Sequence, residues 1–192
     1  MTVIILAGGK ASRMGGTDKA FLKISKETLI KRQLRLLRKL FKRIIIVTNS
    51  PERYVKLKDT KVISDLVQNS GPLGGIFSGL LASGSFYNFV VACDMPFINS
   101  ALMKYMGDNS RGHDVVVPCI NNRYEPLFAI YSKDCLPHIQ HLLERRIFKI
   151  NKFFPHVEVK KIGKKDVLKF GRPEEIFANI NTPRDLERYH GE

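Results

Sequence analysis

The chain opens with Thr2-Val-Ile-Ile-Leu6-Ala-Gly-Gly-Lys-Ala-Ser-Arg13-Met-Gly-Gly-Thr-Asp-Lys19-Ala20, an apolar run that leads directly into a glycine-rich segment. The apolar run predicts a buried strand, and the two glycine pairs predict a loop whose backbone N–H groups can approach a ligand closely. Arg13 offers a fork of donors that suits a phosphate, whereas Lys19 offers a compact positive charge. We therefore predict a polyphosphate-binding loop after the first strand.

This glycine-rich segment differs from the two common phosphate-binding motifs. It contains neither Gly-x-x-x-x-Gly-Lys-Ser/Thr nor Gly-x-Gly-x-x-Gly, so a P-loop and a dinucleotide fingerprint are both excluded. An ordinary turn with solvated basic residues is the structural alternative. The two glycine pairs combined with Arg13 and Lys19 favour the phosphate site, in which Gly8 and Gly9 let phosphate oxygens reach the backbone.

The composition predicts one globular domain that spans residues 1–192 and lies in the cytoplasm. With 44% hydrophobic and 26% charged residues the chain differs from disordered proteins. No apolar run reaches the length of about 18 residues that crosses a bilayer, and no basic flank precedes the first run as in a leader peptide. The three cysteines form no Cys-x-x-Cys pair, which disfavours a disulfide framework or a zinc site. Cys93 and Cys119 lie in apolar runs that predict burial.

The formal net charge of +14 favours anionic ligands. Much of the excess lies in a segment where basic and apolar residues alternate at helical spacing, which predicts an amphipathic helix with a basic outer face. Its basic residues are Lys31, Arg32, Arg35, Arg38, Lys39, Lys42 and Arg43. A solvated helix surface explains them better than a nucleic-acid footprint, because no nucleic-acid-binding motif accompanies them. We expect neither a nucleic-acid partner nor a membrane partner.

Six apolar runs, many of them β-branched, predict strands that are buried on both faces. The runs are Val3–Ala7, Ile44–Val47, Lys61–Ser64, Phe89–Cys93, Val115–Cys119 and Leu127–Tyr131, and helical patterns lie at about 28–42, about 75–84, after Asn99 and at about 134–146. This alternation predicts an α/β fold, a three-layer α/β/α Rossmann-like domain with a mostly parallel central sheet. The basic segment 150–170 predicts an irregular flap or an extra strand.

Polar side chains follow three of the predicted strands, because Asn49, Asp65 and Asp94 come at or just after their ends. Ligands bind at the carboxyl ends of strands in such sheets, so we expect these side chains to share one rim. Pro96 prevents the strand before Asp94 from continuing regularly. Asp94 then suits Mg²⁺, which prefers one or two carboxylates together with substrate phosphates. A capping or turn role for Asp94 fits the spacing equally well.

Two more segments offer groups to the same site. Asp65 opens a loop that runs through Gly71-Pro-Leu-Gly-Gly75, whose tight path before a helix would let the backbone approach a base or a ribose. An ordinary strand-to-helix turn is its structural alternative. Near the end, Asn179 and Asn181 alternate on a predicted short strand, and both side chains can reach a metal shell or a second substrate. The residues after them, Thr182-Pro183, are explained by helix capping.

Five blocks, in this order, resemble the molybdenum cofactor guanylyltransferase family and span nearly the whole chain. They are Leu6–Lys19, Gly71-Pro-Leu-Gly-Gly75, Cys93-Asp-Met-Pro96, Glu125-Pro-Leu-Phe-Ala-Ile-Tyr131 and Asn179-Ile-Asn-Thr-Pro183. The resemblance implies a nucleotide-diphospho-sugar transferase-like fold. It also implies Mg²⁺-dependent transfer of GMP from GTP to molybdopterin, with release of pyrophosphate.

Site residues follow from the resemblance by position. Leu6, Ala7 and Gly8 would contact the nucleotide, Lys19 its phosphates and Asp65 the nucleoside. Asp94 would hold the magnesium ion, and Asn179 and Asn181 would lie toward the acceptor. The match is loose at Asn49 and weak over 133–170, so the resemblance does not locate the pterin pocket.

Arg13, Lys19 and Asp94 are the predicted catalytic residues. A polyphosphate transfer of this kind depends on positioning and charge neutralisation, and the acceptor phosphate is already ionised, so no general base is required. The alternatives are a nucleotidyltransferase for a sugar phosphate or another phosphorylated acceptor, a molybdopterin cytidylyltransferase, and a GTP-binding or nucleic-acid-binding accessory protein. Transient contacts with other proteins of molybdenum cofactor synthesis, or with the enzyme that receives the cofactor, are expected from the resemblance.

Overall fold

A computed structural model describes residues 1–8, 18–24, 27–180 and 185. Its main sheet has eight strands, of which seven follow the order β10-β7-β9-β6-β1-β4-β5, while β8 pairs with β7 outside this path. These strands are β1 (Thr2–Leu6), β4 (Ile44–Thr48), β5 (Lys61–Ser64), β6 (Tyr87–Ala92), β7 (Val115–Ile120), β8 (Arg123–Tyr124), β9 (Phe128–Ser132) and β10 (Val159–Gly163). A separate hairpin joins β2 (Lys23–Ile24) to β3 (Glu27–Thr28).

The sheet is mostly parallel, as the alternation of strands and helices predicts. β1 pairs in parallel with both β4 and β6. β5 pairs in parallel with β4, and β10 pairs in parallel with β7. β9 is antiparallel to both of its neighbours, β6 and β7. The sequence pattern contained no sign of this reversal, because a buried apolar run reads the same in either direction.

Six α-helices have their bounds within the described part of the chain. They are α1 (Leu29–Leu37), α2 (Gly71–Ala82), α3 (Ser100–Asp108), α4 (Cys135–Glu144), α5 (Lys164–Val167) and α6 (Pro173–Ile176). The four longer ones agree with the predicted helices to within a few residues, except that α2 begins earlier and α1 ends earlier. β10 is the extra strand that the sequence allowed within 150–170.

Side chains of β1 alternate between two hydrophobic layers, which confirms the three-layer architecture. Val3 and Ile5 belong to the layer that includes buried residues of α1 and α3. Ile4 and Leu6 belong to the opposite layer, with buried residues of α2 and α4. Because both faces of the strand are covered, all five residues of β1 are buried.

Glycines bring α2 unusually close to β1. A Cβ on Gly79 would lie 2.5 Å from Ile4 Cγ2, and one on Gly75 would lie 3.1 Å from Leu6 Cδ2. A side chain on Gly79 would force a shift and one on Gly75 would be tightly packed, so the helix lies directly on the strand. The amino-terminal end of α2 is thereby fixed next to the end of β1.

Three expectations need correction. β5 is only partly buried, with both terminal residues exposed, because it is the edge strand of the sheet. Cys119 is half-buried, since it pairs with Tyr124 in the short β7–β8 hairpin, whereas Cys93 is buried as predicted. Residues 178–180 form no strand, although Ile180 N donates to Asp94 O at 2.8 Å. Asn181 lies outside the described residues.

None of the helices in the described part of the chain has the length and apolar character needed to cross a bilayer.

Candidate active site

The carboxyl ends of four parallel strands meet at one edge of the sheet, which we call the rim. β1, β4, β5 and β6 end there and lead into Ala7, Asn49, Asp65 and Cys93. Backbone bonds tie these ends together, since Cys93 N donates to Leu6 O and Asp65 N donates to Thr48 O. A Cβ on Gly8 would lie 3.7 Å from Asn49 Nδ2, so Gly8 and Asn49 are neighbours on the rim.

Lys19 and Asp94 meet on this rim. Lys19 Nζ lies 3.2 Å from Asp94 Oδ2 in a salt bridge whose side chains are 27% and 20% exposed. The structure therefore brings together two of the three predicted catalytic side chains. The third, Arg13, lies outside the described residues, as does Gly9.

The loop that carries Asp94 is held by α1. Gln33, which is fully buried, donates from Nε2 to Ala92 O at 2.8 Å and to Met95 O at 2.9 Å. Arg32 donates to Pro96 O at 3.2 Å, and its guanidinium lies over the Phe97 ring. These bonds fix the backbone on both sides of Asp94.

The sequence predicted α1 as a basic amphipathic helix and did not single out Gln33 or Arg32. A polar residue within the apolar face of that helix was the available signal, because a buried amide must find hydrogen-bond partners. The N-cap of α3 is Asn99 and not Asp94, since the Asn99 side chain accepts from Leu102 N at 2.9 Å. The structure thus removes the capping role for Asp94 at α3.

Lys19 is positioned by its preceding residue. Asp18 caps the 3-10 turn Lys19–Phe21 by accepting from Ala20 N at 3.1 Å. Its second carboxylate oxygen accepts a hydrogen bond from the hydroxyl of the fully buried Tyr54 at 2.8 Å. Burial, together with Asp18, raises the pKa of Tyr54 well above its ordinary value, so the hydroxyl stays protonated and donates. Asp18 and Tyr54 were not predicted from the sequence.

Asp65 is held in a turn. Its Oδ1 accepts from Val67 N at 3.1 Å and from Ser78 Oγ at 2.9 Å, and Ser78 belongs to α2. The structural alternative for this residue, a carboxylate that fixes a strand-to-helix turn, is therefore present in the molecule. Asp65 remains half-buried at the rim, beside the start of α2.

The loop after Asp65 needs left-handed backbone at two positions. Asn69 has φ of 61° and Gly71 also has φ of 61°. Asparagine and glycine tolerate this conformation best, so the residue types match the backbone. Gly71 is exposed, and its Cβ position is open, which leaves space in front of α2 on the rim.

At the end of β1, Leu6 and Ala7 are buried. Their side chains pack in the two hydrophobic layers, so any contact with a nucleotide must come from their backbone. Gly8 is the first exposed residue after the strand. Asn179 is exposed and donates from Nδ2 to Phe177 O at 3.3 Å, one residue before the bond from Ile180 to Asp94.

A run of exposed residues that the sequence did not single out follows α4. β9 starts at the rim and ends at the opposite edge, so α4, which follows it, runs back toward the rim. The run consists of Arg145, Arg146, Ile147, Phe148 and Lys149, and all five residues are exposed. Shortly after it, the Phe154 ring lies 5.1 Å from that of Tyr124, in the strand paired with the carboxyl end of β7.

Arg146 has an unusual backbone. Arg146 N donates to Leu143 O and Ile147 N to Leu142 O, which is a Schellman motif at the end of α4. Arg146 occupies the position of that motif that glycine usually takes, with φ of 56°. A positive φ at a residue with a side chain costs roughly 1–2 kcal/mol. Arg146 is therefore distinguished by its backbone conformation.

The donor set at the rim fits a magnesium ion that arrives with a substrate. In the described part of the chain, no three His, Cys, Asp or Glu side chains gather to bind a metal by themselves. Asp94 supplies one partly exposed carboxylate beside Lys19. One carboxylate, with the remaining ligands from substrate phosphates and water, is the coordination that Mg²⁺ favours.

Cys93, which precedes Asp94, is not a candidate nucleophile. It is buried next to Asp94, and burial raises the pKa of its thiol. A protonated, buried thiol is inert, which agrees with its interpretation as a small hydrophobic residue.

Comparison with known proteins gives consistent results. Residues 3–157 match the family described as the MobA-like NTP transferase domain. A probable molybdenum cofactor guanylyltransferase of Pelotomaculum thermopropionicum is 38% identical over 185 residues, covering 96% of this chain and 89% of that protein. A protein of the same description from Natranaerobius thermophilus is 36% identical over 193 residues, covering 98% and 94%.

A solved structure is similar over its whole length. The crystal structure of molybdopterin-guanine dinucleotide biosynthesis protein A from Archaeoglobus fulgidus superposes with a TM-score of 0.85 at 26% sequence identity. The alignment covers 100% of this chain and 97% of that one.

Proposed function

This chain belongs to the family of MobA-like NTP transferases, and we propose that it is a molybdenum cofactor guanylyltransferase. It transfers GMP from GTP to the terminal phosphate of molybdopterin and thereby forms the guanine dinucleotide cofactor. The observation that carries the proposal is the pairing of Lys19 with Asp94 on the rim, at a distance of 3.2 Å. A cation and a carboxylate at the strand ends are the groups that such a transfer requires.

The reaction is one displacement at phosphorus. An oxygen of the molybdopterin phosphate attacks the α-phosphorus of GTP, and a new P–O bond forms. The bond from the α-phosphorus to the bridging oxygen breaks, and its electron pair leaves with pyrophosphate. Both reactants are anions, so the protein must hold them in line and neutralise their charge.

Each residue of the rim then has a role in our proposal. Gly8, together with Gly9, offers backbone to the phosphates, and Lys19 and Arg13 neutralise the charge on the α-phosphate and the pyrophosphate. Asp65 and Gly71 border the nucleoside. Asn179 and Asn181 would contact the acceptor, which agrees with the bond from Ile180 to the Asp94 loop.

We propose that Asp94 holds Mg²⁺ together with phosphate oxygens of GTP. When bound there, the ion supplies Lewis-acid polarisation of those oxygens. Lys19 already lies against the same carboxylate, so its ammonium stays close to the phosphates that come to Asp94. Gln33 keeps the carboxylate in place by fixing the backbone around it.

The acceptor side of the proposal includes Arg146. Arg146 follows α4, the helix that runs back toward the rim, is exposed, and has a backbone conformation in which glycine would be more stable. A guanidinium there suits the phosphate of molybdopterin. We place the whole chain, as one nucleotidyltransferase domain, in the cytoplasm, with GTP and molybdopterin as its substrates.

A substrate panel tests the proposal. The purified protein is incubated with Mg²⁺, one of the four nucleoside triphosphates, and either molybdopterin or a sugar phosphate, and the release of pyrophosphate is measured. We expect release only with GTP and molybdopterin together, and loss of it with EDTA. Preference for CTP would identify a cytidylyltransferase, and release with a sugar phosphate alone would overturn the assignment of the acceptor.

A further inference from the structure

A second cleft lies at the edge of the sheet opposite the rim. It has a volume of about 630 Å³ and is formed where α1 and α3 end and where β1 and β4 begin. Because β1 has five residues with a rise of roughly 3.3 Å each, about 16 Å of strand separates the cleft from the rim. We call it the basic cleft.

Four cations line the basic cleft: Lys39, Lys42, Arg43 and Lys104. All four are exposed, and none forms an ion pair with a carboxylate of the described residues. Asp108 is the one acidic residue among those lining the cleft. The lining therefore has an excess of positive charge, with four cations against one carboxylate.

Helix dipoles do not account for this charge. Cations stabilise the carboxyl end of a helix only within about its last turn. α1 ends at Leu37, so Lys42 and Arg43 lie beyond that turn, and Lys104 lies in the middle of α3. The four side chains come from two helix regions and converge on one cavity.

Apolar residues lie between these cations. Leu40 is 39% exposed and Met1 is 43% exposed, and Phe41 and Met103 lie deeper in the same cleft. Exposed apolar side chains thus lie among an excess of cations, which a partner with both apolar and acidic groups would complement. The volume is within the range of cavities that hold a ligand or a few side chains.

A peptide fits these features better than a nucleic acid. Phosphates would pair with the cations, but they would leave Leu40 and Met1 uncovered. Bases would need an exposed aromatic ring for stacking. Phe41 is the aromatic residue among those lining the cleft, and its ring already packs against Phe89, with centroids 6.1 Å apart.

We propose that the basic cleft docks an acidic segment of a partner protein, with apolar side chains between its carboxylates. The carboxylates pair with Lys39, Lys42, Arg43 and Lys104, and the apolar side chains cover Leu40. The opposite position of the cleft leaves the rim open, so such a partner can stay bound while the rim exchanges its substrates. This proposal stands independently of the reaction at the rim.

A fluorescein-labelled peptide of alternating Glu and Leu residues is the probe. We expect it to bind the full-length protein at low salt, with an affinity that falls as salt rises. The double variant Lys39→Glu and Lys104→Glu should bind it at least about tenfold more weakly, since each substitution replaces attraction by repulsion. Leu40→Gln should also weaken binding, and a peptide with Ser in place of Leu should bind less well than the probe.

The matched control is the double variant Lys164→Glu and Lys165→Glu. Both lysines are exposed in α5 and bring the same change of net charge. Equal loss of binding in this control would show a general field effect and overturn the proposal, as would absence of binding by the wild type at low salt.

Two competitors complete the test. GTP with Mg²⁺ should leave the peptide bound, and displacement would place the peptide at the rim. A short RNA that binds more tightly than the peptide, with the same sensitivity to Lys39→Glu and Lys104→Glu, would assign the cleft to nucleic acid instead. Thermal unfolding of every variant shows that it is folded, whether or not the protein transfers GMP.

Discussion

Lys19 and Asp94 lie 75 positions apart in the chain, yet Lys19 Nζ is only 3.2 Å from Asp94 Oδ2. This salt bridge joins the loop after β1 to the loop after β6, which are the ends of two neighbouring parallel strands. Both side chains are partly exposed, so solvent screens their attraction and the pair contributes little to stability. We infer that the pair is placed for its chemistry.

Replacement of Asp94 by asparagine should abolish most turnover. The amide keeps the shape of the side chain but loses the charge that we propose holds Mg²⁺, so we expect a loss of roughly 100- to 1,000-fold in kcat. Pyrophosphate release measures this loss, and GTP binding without metal should persist. Asp108→Asn, at the opposite edge of the sheet, is the control and should keep full activity. Near-normal turnover by Asp94→Asn would remove the carboxylate from the mechanism.

Gln33→Leu should lower both the stability of the protein and its kcat. The substitution removes the Gln33 donor from the carbonyls of Ala92 and Met95; Ala92 O keeps the longer bond from Met95 N at 3.4 Å, so the expected cost is about 1–3 kcal/mol for the carbonyl of Met95. Urea unfolding gives the stability, and kcat should fall because the loop that holds Asp94 is released. Gln140→Leu is the matched control, since Gln140 is exposed and bonds only to Glu144 among the partners seen in the structure. Equal effects of the two substitutions would contradict the positioning role.

Tyr54→Phe should remove one hydrogen bond to Asp18 at a cost of about 1 kcal/mol. The folded protein raises the pKa of the Tyr54 hydroxyl, so its contribution is complete below the ordinary tyrosine pKa of about 10 and is lost as pH rises above it. Stability measured against pH should therefore fall less steeply at alkaline pH in the variant. A fall in kcat at unchanged KM for GTP would show that Asp18 positions Lys19, and unchanged kcat would limit Tyr54 to stability.

Two glycine substitutions should have opposite signs. A Cβ on Gly79 would lie 2.5 Å from Ile4, so Gly79→Ala forces α2 from β1 and should destabilise by about 1–3 kcal/mol. Nothing lies within 4 Å of a Cβ on Gly107 in α3, so Gly107→Ala should stabilise by about 1 kcal/mol through helix propensity. Thermal unfolding measures both. Stabilisation by Gly79→Ala would show that the contact between helix and strand can relax.

Arg146→Gly should stabilise the protein and raise its KM for molybdopterin. Glycine relieves the left-handed backbone at the end of α4, which is worth about 1 kcal/mol, whereas Arg146→Ala keeps that strain. Both variants lose the guanidinium, so both should raise KM for molybdopterin and leave KM for GTP unchanged. An equal rise in KM in both variants, with stabilisation in Arg146→Gly alone, would separate the two roles. Unchanged KM for molybdopterin in both variants would exclude Arg146 from the acceptor side.

Much of the fold could be predicted from the sequence, because buried strands in a covered sheet are continuous apolar runs. The position and burial of β1 and β4 follow from their own residues. The exposure of β5 and the reversed direction of β9 do not, since both depend on the order in which strands assemble. The position of Asp94 at the rim could be predicted because it directly follows a buried strand.

The residues that hold the Asp94 loop could not be predicted from the sequence. Gln33 acts on carbonyls 59 and 62 positions away, and no local pattern records which loop a buried amide meets. Arg146 was marked only by its backbone angle, which a sequence does not display.

The reversal of β9 has a consequence for how substrate preference is encoded. In our proposal the donor nucleotide is held mainly by loops that precede residue 95, whereas Arg146 follows α4, the helix that the reversal of β9 directs back toward the rim. The residues that select the base and those that select the acceptor therefore lie in separate segments of the sequence. The acceptor segment can change during evolution while the nucleotide segment stays the same. A fold of this kind is therefore suited to transfer nucleotides to many acceptors by the same phosphate chemistry.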